Sequence, residues 1–342
     1  MPRIHVIIID GTLSRIKTGQ ETNAGLLFKL LRDIPGVTVG YDPGVQGKGL
    51  MKWVNVLTGH GINCSIRYGY TTLAKRFRPG DKIFLFGFSR GAYAVRSIAG
   101  MMAKVGLLKP DNVKASRVNT AFRLYKDCID DKLSSRFRRK YAHPSIEIEM
   151  IGVWDTVKAL GLHFPLLSYF APMATEFHDH KLSPIIRNAY QALAADENRR
   201  AFASLPWQCQ PNWRGHLEQA WFAGAHADVG GHVYEQPEAR CVSNISLNWM
   251  LERAEACGIP LPDNWQSRFP TDPLGPILGP YAGSSKFFLF RESRQFGNPQ
   301  VDILHPSLLT RINELHGYKT RLKGAPLTGR PSSSSLPEAP SG

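Results

Sequence analysis

Three residues far apart in the chain have the types needed for one reaction centre. Ser89 lies in Gly87-Phe88-Ser89-Arg90-Gly91, a G-x-S-x-G pattern. Asp155 follows Gly152-Val153-Trp154, and His226 lies within Gly224-Ala225-His226-Ala227-Asp228-Val229-Gly230-Gly231. A serine hydroxyl is a weak nucleophile until a base takes its proton. Histidine titrates near neutrality and can take and return that proton. A buried carboxylate holds the imidazole tautomer and stabilises the imidazolium. Serine, then aspartate, then histidine is also the chain order used with nucleophile elbows on α/β sheets. His232 is the second candidate for base and Asp228 for acid. Asp155 has an alternative role as a helix cap, and Asp228 as a fastener of its own loop.

Such residues act together only if the fold brings them to one edge. The apolar, aromatic run 83–88 follows the turn Arg78-Pro79-Gly80-Asp81 and reads as a buried strand. Residues 91–104 read as a helix of small residues. In that context the serine takes a strained corner, its flanking positions must be small, and the N–H of Arg90 points to a developing oxyanion. Further strands are expected at 6–9, 37–41, 146–153 and 219–223. Helices are expected at 22–31, 69–78, 112–142, 185–202 and 242–256, and a glycine-rich loop at 224–231. Alternating strands and helices predict a mainly parallel sheet with helices on both faces, an α/β-hydrolase-like fold. Ligands then gather at the carboxyl ends of the strands, and Asp10, Ser89, Asp155 and His226 each follow an expected strand. One domain is expected over residues 1–323, with a disordered Pro/Ser/Gly-rich tail at 324–342.

Asp10-Gly11-Thr12 closes the first strand. Phosphatases of the haloacid-dehalogenase type carry D-x-D-G-T there, but Ile8 occupies the position of their nucleophile. The segment therefore reads as a tight loop beside the elbow, with Gly11 or Thr12 supplying a second N–H to the oxyanion and Asp10 a further candidate. The loop 44–49 lacks P-loop spacing and reads as a pocket rim. Neither His226, Asp228 and His232 nor residues 178–180 match a zinc pattern, so no metal and no cofactor are expected.

Forty-two lysines and arginines against 28 acids give a net charge of +14 over 342 residues. This favours anionic partners, membrane surfaces among them. Lys132 to Lys140, with Arg136, Arg138 and Arg139, is the densest cluster, and 164–173 is an apolar segment suited to a lid over acyl chains. No zinc-finger spacing or aromatic-basic run supports specific nucleic-acid binding. A non-catalytic module binding anionic surfaces is the alternative. The five cysteines are scattered without C-x-x-C, as suits a reducing compartment at synthesis. The N-terminal apolar run is too short for a signal peptide, and no stretch reaches the roughly 18 apolar residues of a membrane span. Cytoplasmic synthesis, with export by a signal-less specialised route, fits these features.

Together, Asp10-Gly11-Thr12, Tyr41-Asp42-Pro43-Gly44-Val45, "GFSRGAY" (87–93), Gly152-Val153-Trp154-Asp155-Thr156, "AADENRRAF" (194–202), "WFAGAHADVGGH" (221–232) and "LHPSLLTR" (304–311) resemble the type VI secretion phospholipase-effector family of α/β-hydrolases. The resemblance implies a serine ester hydrolase acting on phospholipids, with Ser89, Asp155 and His226 at the triad positions. It covers a catalytic domain and no added membrane-docking domain. Asn198 stands where arginine is frequent, and Ser14 where asparagine or aspartate is common.

Overall fold

A computed structural model describes residues 2–12, 14–44, 60–127, 131–157, 181–208, 210, 212–233, 235–282 and 288–327. The expectations placed on 45–49, 164–173, 178–180 and 328–342 lie outside these residues. Seven strands form one sheet in the order β2-β1-β3-β4-β5-β6-β7. They are β1 (Ile4–Ile9), β2 (Val37–Asp42), β3 (Lys82–Phe88), β4 (Ile148–Trp154), β5 (Ile186–Ala194), β6 (His216–Phe222) and β7 (Asp302–Leu304). Every pairing is parallel, as expected for strands of β-branched and aromatic residues buried on both faces.

The pleat assigns alternate side chains to two cores. Val6, Ile8, Phe84, Phe86 and Phe88 face α1 (Asn23–Leu31) and a long helix at Arg240–Ala256. Ile7, Ile9, Ile83 and Leu85 face α2 (His60–Arg76) and α3 (Arg90–Val105). Two more helices, α4 (Ala115–Lys126) and α5 (Asp131–Tyr141), extend that second layer. The stretch expected to be one basic helix at 112–142 holds two helices, the first closed at Asp127.

β1 is flanked by β2 on one side and β3 on the other, so the strand order reverses there. An α/β sheet opens a crevice at such a switch point. The register sets Ile9 beside Gly87 and Phe88 beside Trp154. The next residues, Asp10, Ser89 and Asp155, therefore emerge together at the carboxyl edge.

The helix expected over 185–202 is instead β5 followed by a single 3-10 turn at Arg200–Phe202. Ala189, Ala192 and Ala194 gave that stretch its helical look. In the fold β5 is an inner strand between β4 and β6, buried on both faces, so it shows no alternation of polar and apolar residues. Close packing, rather than propensity, selects alanine there. Strand β7 and the helix at Pro306–Glu314 follow the stretch 260–300, which reads as loop-rich in the sequence, and no element was expected where they stand. Among the described residues no helix is long and apolar enough to cross a membrane.

Candidate active site

Ser89 joins β3 to α3 with φ 59° and ψ −119°, a left-handed conformation unusual for a residue with a side chain. The corner is possible because its flanking residues are glycines. A Cβ on Gly91 would lie 2.0 Å from the Ile9 carbonyl oxygen, and one on Gly87 would lie 2.5 Å from that of Gly91. The helix thus starts against the backbone of β1 and β3. Its first N–H groups, beginning with that of Arg90, lie beside the Ser89 side chain at the positive end of a 16-residue helix.

The Ser89 hydroxyl lies 2.8 Å from His226 Nε2, and His226 Nδ1 lies 2.5 Å from Asp155 Oδ2. With Nδ1–H donating to the carboxylate, Nε2 is left to accept the serine proton. His226 opens a short helix, His226–Gly230, just after β6, where a loop alone was expected. Its ring stacks on Phe88 at 4.8 Å and packs against Phe202 at 4.9 Å. Its backbone N–H donates to Glu197, whose carboxylate is paired with the Arg199 guanidinium. Ring, backbone and both nitrogens are thereby fixed. Burial pushes the imidazole below its ordinary value, and the Asp155 hydrogen bond and charge restore part of that shift. The ring is therefore neutral near pH 7 and able to accept a proton.

Asp155 is fully buried and is no helix cap. It follows β4 with φ 43°, and its Oδ1 accepts from Ala194 N–H at 3.0 Å. Arg294 grips the same carboxylate from the other side, Nη1 to Oδ1 at 2.5 Å and Nη2 to Oδ2 at 2.9 Å. Burial pushes the carboxyl up, but the Arg294 charge and the His226 hydrogen bond outweigh it and hold Asp155 well below the usual carboxylate range. The guanidinium is anchored in turn on the carbonyls of Ala194 and Phe202. Sequence reasoning missed Arg294. It comes from a loop without periodicity, and only tertiary packing brings it to a residue 139 positions away.

The other candidates do different work. Asp228 accepts from the N–H groups of Ala225, Leu278 and Gly279, so it fastens its own loop to a neighbouring one and makes no bond to His226. The imidazole on Ser89 belongs to His226, not His232, which burial and nearby positive charges push down to about 4. Asp10 accepts from Gly11 N–H, from the hydroxyls of Ser14 and Thr22 and from that of Tyr41. Ser14, at the position of the family departure, is thus one of its donors. The Gly11 N–H, expected to face the oxyanion, is committed to Asp10 Oδ1 at 2.6 Å, which corrects that assignment. Thr12 is different: among the described residues its hydroxyl is buried without a partner, and it lines a small pocket with Arg90 and Gly91.

A parallel α/β sheet with an elbow serine in contact with a buried imidazole defines the class. Residues 3–253 match the family described as "T6SS, Phospholipase effector Tle1-like, catalytic domain", and the chain belongs to that family. Arg294 lies beyond the matched segment. The uncharacterized protein YEL023C of Saccharomyces cerevisiae is 26% identical over 234 residues, 60% of this chain. The chain spans a third of that relative's length, the matched share being 33%. An uncharacterized protein from Pseudomonas aeruginosa is similar over 79% of this chain and 49% of its own, at 16% identity and a TM-score of 0.47. A Tle1 effector, solved bound to the VgrG spike of a type 6 secretion system, is similar over 67% of this chain and 51% of its own, at 19% identity and a TM-score of 0.39.

Proposed function

We propose that this protein is a serine hydrolase that cleaves carboxylic esters of phospholipids, with Ser89 as nucleophile, His226 as base and Asp155 as the carboxylate that orients it. The observation that carries this reading is the unbroken hydrogen-bond chain from the strained serine through the imidazole to the carboxylate. Family membership supports the lipid substrate and a role as a secreted effector.

Ser89 Oγ attacks the ester carbonyl as its proton passes to His226 Nε2. The imidazolium is stabilised by Asp155, which remains charged. The oxyanion accepts from Arg90 N–H at the positive end of α3. Thr12, whose hydroxyl has no partner among the described residues, supplies the second donor in place of Gly11. His226 then protonates the leaving alcohol, and water drawn through the same imidazole releases the acyl group from Ser89.

A panel of phospholipids and short-chain esters, read by acid release, tests the proposal together with labelling by a fluorophosphonate. Wild type hydrolyses and is labelled on Ser89. Ser89→Ala loses roughly three or more powers of ten in rate and is not labelled. Full activity in Ser89→Ala overturns the proposal.

A further inference from the structure

The last third of the chain places an apolar tip beside the site. Leu289 is 84% exposed, Phe290 58% and Tyr281 50%, high values for large apolar side chains on adjacent loops. The tip is held to the carboxyl edge by backbone: Arg200 N–H donates to the Phe290 carbonyl, and Glu292 N–H to that of Asn198. It is also coupled to the site through rings. Phe288 packs edge-on against Phe202 at 5.5 Å, and Phe202 packs against His226. Asn198 donates to the Tyr281 hydroxyl at 3.2 Å, so the residue that departs from the family pattern fixes the third of these side chains. Two exposed arginines lie beside the tip, Arg200, bonded through its backbone to Phe290, and Arg321, whose guanidinium lies 5.3 Å from the Tyr281 ring centre; Glu292 is an exposed acid next to them.

We infer that this tip is the surface by which the protein docks on an anionic phospholipid bilayer, with Leu289 and Phe290 entering the headgroup region and the arginines meeting lipid phosphates. The inference rests on the lipid-hydrolase reading but places the contact where that reading leaves it open. Charge complementarity and exposed apolar rings together fit an anionic lipid interface. The alternative surface, basic helix α5, is badly placed. It packs against residues 106–109, beyond the carboxyl end of α3. Sixteen residues at 1.5 Å each put that end about 24 Å from Ser89.

The test is co-sedimentation of the full chain with vesicles of equimolar phosphatidylglycerol and phosphatidylcholine. It is done in a Ser89→Ala background, so binding is read without turnover and whether or not Ser89 is the nucleophile. Adding Leu289→Ser and Phe290→Ser lowers partitioning at least tenfold with an unchanged melting temperature. Adding Arg200→Ser and Arg321→Ser lowers it roughly fivefold each, while Arg136→Ser with Arg139→Ser leaves it unchanged. Undiminished binding in the Leu289/Phe290 variant, loss confined to the Arg136/Arg139 variant, or equal binding to pure phosphatidylcholine vesicles overturns the inference. Loss of binding in the tip variant beside an unimpaired ester hydrolysis by Ser89→Ala would uphold the docking surface and defeat the catalytic reading instead.

Discussion

Asp10 and Asp155 are both buried at the carboxyl edge of one sheet, at the ends of β1 and β4, yet their surroundings give them opposite characters. Among the described residues Asp10 meets neutral donors: a backbone N–H and the hydroxyls of Ser14, Thr22 and Tyr41. Burial wins over these bonds and raises its pKa. Asp155 is as deeply buried, but it faces a guanidinium and an imidazole, and its pKa falls. Burial therefore does not decide what a carboxylate does; the charge of its partners does. Asp10 ties the loop after β1 to the cap of α1 and to β2, a framework role. Asp155 keeps a negative charge in the interior, where an imidazolium can use it.

The largest separation between the two is in catalysis. Asp155→Asn is expected to lower kcat by roughly 10³ to 10⁴, because the amide no longer enforces the Nδ1–H tautomer. Asp10→Asn is expected to cost less than about tenfold. Steady-state rates on one soluble ester check this, and equal losses would erase the distinction.

The next effect concerns Arg294, a positioning residue that shares the charge of Asp155 with His226. The acid limb of kcat/KM in the wild type lies below the ordinary histidine value of 6.5, following the lowered His226. Arg294→Met leaves Asp155 to act on the imidazole alone, so the limb moves to higher pH, and Arg294→Lys moves it less. A rate loss with no movement of the limb would make Arg294 a packing residue only.

The smallest effect is on stability, and its sign differs between the two carboxylates. The lowered pKa of Asp155 contributes stability present above the ordinary aspartate value of 3.8 and lost as pH falls through the folded one. The raised pKa of Asp10 contributes stability present below 3.8 and lost as pH rises through its folded value. Urea midpoints against pH should therefore lose their acid-side fall in Asp155→Asn, and their decline on the rising side in Asp10→Asn. The same slope in both variants would contradict the contrast.

Much of this edge was legible in the chain because it is encoded locally. An apolar strand, two glycines around a serine and a small-residue helix announce the corner at Ser89, and Gly91 shows why nothing larger fits. Asp155 and His226 were readable because each follows a strand of a parallel sheet. What was not readable depends on distant packing. The alanines of β5 look helical until β4 and β6 enclose them. Arg294 has no pattern around it, and the Gly11 N–H lost its expected role to the preceding side chain. Asp228 took the fastening role open to it from the start.

The central claim is that Ser89 is a nucleophile activated by His226 and Asp155. Fluorophosphonate labelling of the folded chain, followed by peptide mass analysis, tests it most directly. One adduct per chain, on Ser89 and lost in His226→Ala, is the outcome this account requires; an unlabelled Ser89, or labelling indifferent to the imidazole, would contradict it.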